Sequence, residues 1–303
     1  MKRFFLQIGL FGLIMLGLAV LVFFQADGNS DPHYYHFASS KQKSLILGTS
    51  KAAQGLQPDM FDSILNRKDI YNYAFTVAHS PYGPAYLRSI KSKLTENTKD
   101  GIFIITIDPY AVSSRLKNPN DTTHFRENSL AVANIENVSS KPNFQYLLKY
   151  YGYQYIYILT KKINYVNDDF VHENGWEEVN ISMRENALNE RIESKLEDYK
   201  NKLPEYHFSE VRYSYFERTI EFLKKHGKVF IVRLPVSEPF LIMENSINED
   251  FDNLISKSCE KFNVPYLDFT KIKNDYRYTD GNHLYKTTGA EVSKKIAIWI
   301  KGT

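Results

Sequence analysis

The first residue that could do covalent chemistry is Ser50, in the stretch "SLILGTSKAAQG". An apolar run typical of a strand ends in Gly-Thr-Ser, and a helix-forming stretch follows at once. A serine placed there can present its hydroxyl at the carboxyl edge of a sheet, beside the free N–H groups of a helix start. The alternative is a turn serine that caps the helix. The Gly-x-Ser-x-Gly elbow is not matched, because Ala52 stands where its second glycine should be.

A second candidate group is the pair Asp280 and His283, in "YTDGNHLYKTTGAEV" near the end of the chain. Their spacing, in a glycine-containing turn before a helix, lets the carboxylate orient the imidazole and fix its tautomer. A serine hydroxyl needs such a base to become a nucleophile. The alternative for His283 is a surface or capping histidine.

The elements that must position these residues alternate between strand and helix. Apolar and β-branched runs predict strands at 44–50, 69–75, 101–109, 228–236 and 264–270. Helical patterns fall at 58–65, 84–94, 208–226, 248–262 and 287–300, whereas about 113–205 is predicted to be an irregular insertion. Such alternation predicts an α/β fold with a parallel sheet covered on both faces and ligands at the carboxyl ends of its strands.

The N-terminus carries 21 uncharged residues, 4–24, enough to span about 31 Å as a helix. Lys2 and Arg3 precede this stretch, so the positive-inside rule leaves residues 25–303 outside the cytoplasm. A cleaved signal peptide is the alternative, although "VFFQADG" offers no good cleavage site. We therefore predict a membrane helix at 4–24 in the cell membrane of a bacterial envelope, a polar stalk at 25–42 and one α/β domain at 43–303.

Composition excludes several classes of function. The formal charge of +3 comes from 38 basic and 35 acidic residues, which gives no electrostatic reason to expect nucleic acid as a partner. The single cysteine, Cys259, excludes an internal disulfide and a cysteine-based zinc cage, and is predicted to be a buried thiol. No metal or other cofactor is expected.

Two remaining features leave alternatives open. Tyr146 to Tyr157, "YLLKYYGYQYIY", carries six tyrosines that could stack on sugar rings or belong to a core or hairpin strand. Arg233, at a predicted strand end, could hold an anionic substrate or a carboxylate within the domain.

The paired blocks resemble the SGNH/GDSL hydrolase superfamily, in its membrane-anchored extracytoplasmic branch. "LGTSKAAQGLQPDMF" is similar to that branch's first block, and "DGNHLYKTTGAEV" to the family's last block. "YNYAF" resembles the second block, with Asn72 at its asparagine. The resemblance covers roughly 43–112 and 206–300.

The resemblance implies a flavodoxin-like three-layer sandwich in which Ser50 is the nucleophile, His283 the base and Asp280 the residue that orients it. Our candidates for oxyanion or substrate-binding roles lie at or near predicted strand ends: Gly48, Asn72, Asp108 and Arg233.

The oxyanion hole departs from the family pattern. Ala74 or Ala78 stands where the family has a glycine, and Asp108 follows the third strand without a Gly-x-Asn-Asp motif. An ionised aspartate cannot donate a hydrogen bond. The hole would therefore need backbone N–H groups, such as that of Ser50.

By the same resemblance, the expected function is transfer of an acyl group, acetyl above all, to an extracytoplasmic polysaccharide. The implied partner is a membrane-bound O-acyltransferase, as in alginate acetylation and teichoic-acid D-alanylation. The same residues would serve an esterase or deacetylase, with water as acceptor. A third possibility is a non-catalytic scaffold that binds polysaccharide or the membrane enzyme.

Overall fold

A parallel sheet of five strands forms the centre of the described part of the chain. The computed structural model describes residues 1–76, 79–163, 169–272 and 275–303. The strands are, in chain order, β1 (Ser44–Leu47), β2 (Ile70–Asn72), β3 (Gly101–Thr106), β4 (Ser113–Ser114), β5 (Asp169–Val171), β6 (Glu177–Val179), β7 (His207–Phe208), β8 (Gly227–Arg233) and β9 (Tyr266–Asp268). The sheet has the order β2-β1-β3-β8-β9 with every pairing parallel, which is the doubly wound, flavodoxin-like arrangement.

Helices cover both faces of this sheet. The longer ones are α1 (Lys2–Phe23), α4 (Pro58–Leu65), α5 (Pro84–Lys93), α8 (Ile156–Ile163), α9 (Glu185–Lys202), α10 (Glu210–Lys224), α11 (Glu238–Ile247), α12 (Phe251–Phe262) and α13 (Lys286–Gly302). The shorter ones are α2 (Tyr34–Ala38), α3 (Ser50–Gly55), α6 (Ala131–Asn134) and α7 (Phe144–Lys149). The predicted α/β sandwich is confirmed.

Two cores form because side chains of a strand point alternately to opposite faces. In β3, Phe103 and Ile105 join one core, which also holds α5, α10 and α12, whereas Ile104 joins the other. The second core is filled by α3, α4 and α13. Each predicted strand is present but ends earlier than expected. Ser50, Thr76 and Asp108, which follow β1, β2 and β3, line a cleft instead.

Helix α1 is long and apolar enough to span a membrane, with a mean hydropathy of 2.5 over its best window. Residues 1–19 are all exposed and touch no core. Its last residue, Phe23, is buried in the first core together with Ala26. The end of this helix is therefore part of the domain's packing.

The segment 25–42 differs from the predicted polar stalk. Helix α2 lies within it, and Tyr34, Phe37 and Ala38 are buried in the first core. Lys93 Nζ donates to the carbonyls of His36 and Ser39 at 3.1 and 2.7 Å. The segment packs because its "YYHFA" residues supply apolar surface, so α1 is joined to the domain by a fixed connection.

The stretch predicted to be an irregular insertion, 113–205, also contains regular structure. It holds the 18-residue helix α9 and the antiparallel ribbon of β5 and β6. None of the residues of α9 is buried, so its sequence lacks the apolar stripe by which a helix is recognised. The prediction of irregular structure was wrong there.

Candidate active site

Ser50 lies where the chain turns sharply from β1 into α3. Gly48 has φ +152°, and a Cβ at this position would lie 1.9 Å from Thr106 Oγ1 on the neighbouring strand. Only glycine combines this backbone conformation with room for the side chain of Thr106. Thr49 is the N-cap of α3, so Ser50 is its first helical residue and is not the capping serine of the alternative interpretation.

The structure brings Ser50 and His283 together across 233 positions of sequence. The distance from Ser50 Oγ to His283 Nε2 is 2.8 Å, and His283 Nδ1 lies 2.8 Å from Asp280 Oδ2. The backbone N–H of His283 also donates to Asp280 Oδ1, at 2.9 Å. These three side chains thus have the connectivity of a serine, its base and an orienting carboxylate.

Asp280 is suited to hold the imidazole in one orientation. Burial alone would raise its pKa, but the charge and hydrogen bonds of His283 outweigh burial and hold the pKa well below its usual range. Lys195 Nζ lies 3.7 Å from Asp280 Oδ2 and favours the ionised form as well. The carboxylate therefore stays charged at neutral pH and accepts a hydrogen bond from Nδ1–H.

The same Asp-x-x-His spacing occurs at Asp121 and His124. There Nδ1 lies 2.7 Å from Asp121 Oδ2, but His124 is exposed on the surface. Ser50 and His283 instead meet in a cleft. The spacing is the same in both pairs, and only the fold shows that Asp280 and His283 lie beside Ser50.

Asn72 is placed behind the site and does not line the cleft. Its amide nitrogen donates to the carbonyls of Ala52 and Leu56, at 2.9 and 2.8 Å, and its Oδ1 accepts from the N–H of Ala74 at 3.1 Å. These bonds tie Asn72 to the last turn of α3 and to Leu56, the residue that ends the helix. Asn72 thus positions the helix that carries Ser50.

Asp108 lines the cleft but is committed to other groups. Its Oδ2 lies 2.7 Å from Lys51 Nζ, and its Oδ1 accepts from the N–H of Ala111 at 2.8 Å. Lys51 also contacts Glu244. Burial would lower the pKa of Lys51, but Asp108 and Glu244 outweigh it and raise the pKa. Asp108 is therefore an ion-pair partner of Lys51, the residue next to Ser50. It does not donate to an oxyanion, because an ionised aspartate has no hydrogen to donate.

Arg233 does not reach the cleft. It is buried, with Nη1 3.0 Å from Asp252 Oδ1, and Nη2 3.4 Å from Glu244 Oε2. The same Nη2 donates to Asn245 Oδ1 at 2.7 Å. Of the two alternatives for this arginine, the structure supports the internal carboxylate.

The cleft above Ser50 has a volume of about 460 Å³ and takes one wall from helix α9. Residues of α9 spaced three or four apart share the face that lines it. Basic side chains outnumber acidic ones in this lining; the basic ones are Lys51, Arg115, Arg191, Lys195 and Lys202, and the acidic ones Asp108, Asp198 and Asp280.

Three tyrosines that the sequence did not single out form an aromatic corner of the cleft. The ring of Tyr110 lies 5.2 Å from that of Tyr199 and 4.8 Å from that of Tyr206, edge to face. No short motif marks them, since they come from three separate elements. By contrast, the tyrosines of 146–157 belong to α7, α8 and the turn between them, and they do not line this cleft. The prediction of a hairpin strand there was wrong.

Several buried polar atoms in the cleft wall lack a hydrogen-bond partner among the described residues: Thr49 Oγ1, His79 Nδ1, Tyr110 Oη and Asn282 Oδ1. Buried polar groups are normally paired. A polar ligand or water in the cleft would supply partners for these four atoms.

Ala74 and Ala78 stand where the family has a glycine, and neither provides an oxyanion donor among the described residues. The N–H of Ala74 is bonded to Asn72, and Ala78 lies outside the described residues. The backbone N–H groups of Ser50 and Lys51 sit in the first turn of α3, where no intrahelical acceptor exists for them. They are the donors available beside the serine hydroxyl.

Cys259 is buried in the first core, as predicted. Burial raises the pKa of its thiol to about 12. The thiol is thus kept protonated and apart from the cleft.

The comparisons with known proteins give likeness of structure only. No family model and no curated protein sequence matches the chain. Among solved structures, it is similar to Est24, a carbohydrate acetylesterase from Sinorhizobium meliloti, with 9% identity and a TM-score of 0.39. An inhibitor-bound aryl esterase of M. smegmatis matches with 9% identity and a TM-score of 0.38. Each match covers 86% of this chain and 98% of the other.

Proposed function

We propose that this protein transfers an acetyl group to a hydroxyl of a cell-surface polysaccharide, with Ser50 as nucleophile and His283 as base. The observation that carries the proposal is the 2.8 Å contact between Ser50 Oγ and His283 Nε2, made inside a cleft. The resemblance of both blocks to the SGNH hydrolases points to the same pair of roles.

In the first half-reaction, Ser50 Oγ attacks the carbonyl carbon of an acyl donor while its proton moves to His283 Nε2. The N–H groups of Ser50 and Lys51 face the oxyanion that develops. The C–O or C–S bond to the leaving group then breaks, the leaving group takes the proton from Nε2, and the acyl-serine remains.

In the second half-reaction, a sugar hydroxyl gives its proton to His283 Nε2 as its oxygen attacks the acyl-serine. The bond to Ser50 Oγ breaks, and the proton returns to Oγ. Asp280 accepts a hydrogen bond from Nδ1–H throughout, stays ionised, and stabilises the imidazolium. Water in place of the sugar would give hydrolysis by the same steps.

A carbohydrate acceptor fits the lining of the cleft. The aromatic corner of Tyr110, Tyr199 and Tyr206 offers surfaces on which sugar rings can stack. Two of the basic side chains in the lining, Lys51 and Arg115, are paired with carboxylates outside it, Glu244 and Glu205, so the lining favours neither a charged nor a neutral sugar.

The proposed place of work is the outer face of the cell membrane, with α1 as an uncleaved anchor and residues 1–3 in the cytoplasm. Phe23 and Ala26 belong to the domain's core, which argues against removal of α1 as a signal peptide. A membrane-bound O-acyltransferase that delivers the acetyl group across the bilayer is the proposed partner.

Labelling by a fluorophosphonate tests the nucleophile. We expect the full-length protein in detergent to be labelled at Ser50, and the Ser50→Ala and His283→Ala variants to stay unlabelled while keeping their circular dichroism spectra. A matched control is Ser129→Ala, an exposed serine whose loss should leave labelling unchanged. Labelling that persists in Ser50→Ala would exclude this serine.

Transfer is then separated from hydrolysis by product analysis. The protein is incubated with p-nitrophenyl acetate and either cellotetraose or a mannuronate tetramer, and acetylated oligosaccharide is measured by mass spectrometry. Acetylated sugar supports transfer, whereas free acetate alone supports the esterase. If Ser50→Ala fully restores polysaccharide O-acetylation in a deletion strain, the scaffold function is correct instead.

A further inference from the structure

A cluster of exposed apolar and aromatic side chains lies beside the end of helix α1. Beyond residue 24, the described structure leaves nine large hydrophobic residues exposed, and six of them fall within 144–157. They are between 40 and 64% exposed and are here called the tyrosine patch: Phe144, Leu148, Tyr153, Tyr155, Ile156 and Tyr157. The three others, Ile242, Ile272 and Ile298, are scattered.

The tyrosine patch is fixed to the domain from its inner side. Tyr146, Leu147 and Ile158 of the same segment are buried in the first core. The segment is therefore apolar on two sides, and only the inner side is covered by protein. Exposed apolar clusters of this kind mark contact surfaces.

Contacts with α1 set the height of the patch relative to a membrane. The ring of Phe23, the last residue of α1, lies 5.0 Å from that of Tyr155 and 6.0 Å from that of Phe144. A helix of 22 residues is about 33 Å long, close to the thickness of the hydrocarbon core. If α1 spans the bilayer, Phe23 lies at the outer boundary of the hydrocarbon, and the patch lies with it.

The composition of the patch fits that depth. Tyrosine is enriched at the boundary between hydrocarbon and headgroups, where its ring is in contact with lipid and its hydroxyl with water. Residues 144–161 contain two lysines and no acidic residue, and Lys161 Nζ lies over the ring of Tyr153 at 4.7 Å. These charges complement anionic headgroups.

We propose that the tyrosine patch rests in the headgroup layer of the bilayer that α1 crosses, so that the domain lies flat on the membrane at this side. The occupant of this surface is lipid, and neither a sugar nor a second protein is required. The proposal depends on α1 as an anchor and is independent of the chemistry at Ser50.

Spin labelling in a lipid-only system tests the contact. The full chain with Cys259→Ala receives one cysteine at Tyr153, Tyr157, Leu13 or Ile298, is labelled with a nitroxide and is placed in nanodiscs of phosphatidylcholine and phosphatidylglycerol. Leu13 is an exposed residue of α1, and Ile298 is 62% exposed on α13, on the opposite face of the sheet. Accessibility to oxygen and to a water-soluble nickel chelate is measured at each label.

The expected ratio of oxygen to nickel accessibility is highest at Leu13, lowest at Ile298 and intermediate at Tyr153 and Tyr157. A double variant, Leu148→Glu with Ile156→Glu, should lower the ratio at Tyr153 towards that at Ile298, whereas Ile242→Glu should not. Labels at Tyr153 and Tyr157 as open to nickel as that at Ile298 would overturn the proposal. A label at Leu13 that is itself in water would overturn it too, because the anchor would then be absent.

Discussion

Asp280 contacts His283 through both the ring and the backbone, and this double contact makes its charge testable. In Asp280→Asn, the amide can still accept from backbone N–H groups, but its NH₂ would face Nδ1. The proton of the imidazole would then move to Nε2, which faces Ser50 and could no longer accept. We expect turnover to fall by about 10³ to 10⁴ with little loss of stability, measured with p-nitrophenyl acetate and by thermal unfolding.

The control for this change is Asp121→Asn, which alters an Asp-x-x-His pair of the same spacing on the surface. Its activity should equal that of the unmodified protein. Equal activity in Asp280→Asn would show that the carboxylate does not orient the base.

Arg233 offers a test between a structural and a binding role. It is 2% exposed and lies between Glu244 and Asp252. Arg233→Met leaves the buried Glu244 with less compensation, which should cost about 3–5 kcal/mol of unfolding free energy. Asp252→Asn, which alters the half-exposed partner, should cost at most about 1 kcal/mol.

Both variants are compared by urea denaturation and by the KM for an anionic oligosaccharide. A KM that rises in Arg233→Met without loss of stability would restore the substrate-binding role. The sequence left these roles open because the partners of Arg233 lie on α11 and α12, and no local pattern reveals that contact.

At the scale of elements, helix α2 makes the connection to α1 sensitive to acid. His36 Nε2 lies 2.8 Å from the carbonyl of Ala74, and burial lowers the pKa of His36 to about 3. The folded pKa is thus below the unfolded value of 6.5. As pH falls from 6.5 towards 3, the unfolded chain binds a proton that the folded chain does not, so stability decreases.

Protonation of His36 in the unfolded chain should lower the free energy of unfolding by about 2 kcal/mol between pH 7.5 and pH 5. His36→Gln keeps a donor to Ala74 and removes the titration, so its stability should depend less on pH in this range. Urea denaturation at both values measures the difference, with the exposed His124→Gln as control. An unchanged pH dependence in His36→Gln would contradict the assignment.

Elements with a continuous apolar pattern could be predicted from the sequence, and the others could not. Four of the five sheet strands are mostly buried runs, and α4 was predicted with the bounds that the structure shows. Helix α9 was missed because it buries no residue, although "ENALNERIESKLEDYKNK" is rich in helix formers. The packed segment 25–42 was missed because tyrosine and histidine are compatible with either surface or core.

The candidate site was predictable to the extent that it depends on local spacing. Ser50, Asp280 and His283 are marked by short motifs, and the structure brings them together. The cleft walls are not so marked, because Tyr110, Lys195 and Tyr206 meet only through the fold. Asn72 was recognised by position, but its contacts with α3 could not be read from the sequence.

At the scale of the whole molecule, Gly28 joins the exit of α1 to the β5–β6 ribbon. The N–H of Val171 donates to the carbonyl of Gly28 at 3.2 Å, and a Cβ at Gly28 would lie 1.9 Å from Val171 O. Gly28→Ala should therefore force these two backbone segments apart and lower the free energy of unfolding by about 1–3 kcal/mol. Gly152→Ala is the matched control, since nothing lies within 4 Å of its Cβ.

Thermal unfolding of both variants in detergent measures this loss of stability. In Gly28→Ala we also expect faster cleavage by trypsin after Lys41 or Lys43, because the connection to α1 would loosen. Equal stability of the two variants would show that the contact at Gly28 does not hold the ribbon.

If α1 is the anchor proposed above, the β5–β6 ribbon also limits how far from the lipid the proposed reaction takes place. Val171 pairs with Glu177, and Val179, two residues further, lines the cleft. Strand spacings put Val179 within about 17 Å of Gly28, a few residues beyond the end of α1. A polymer floating freely in the surrounding medium would have to approach to that height, whereas a chain still tethered to, or emerging from, the same leaflet would arrive there without diffusing. Under the proposed function, this short span favours modification of a glycan during its export or assembly, before it moves outward.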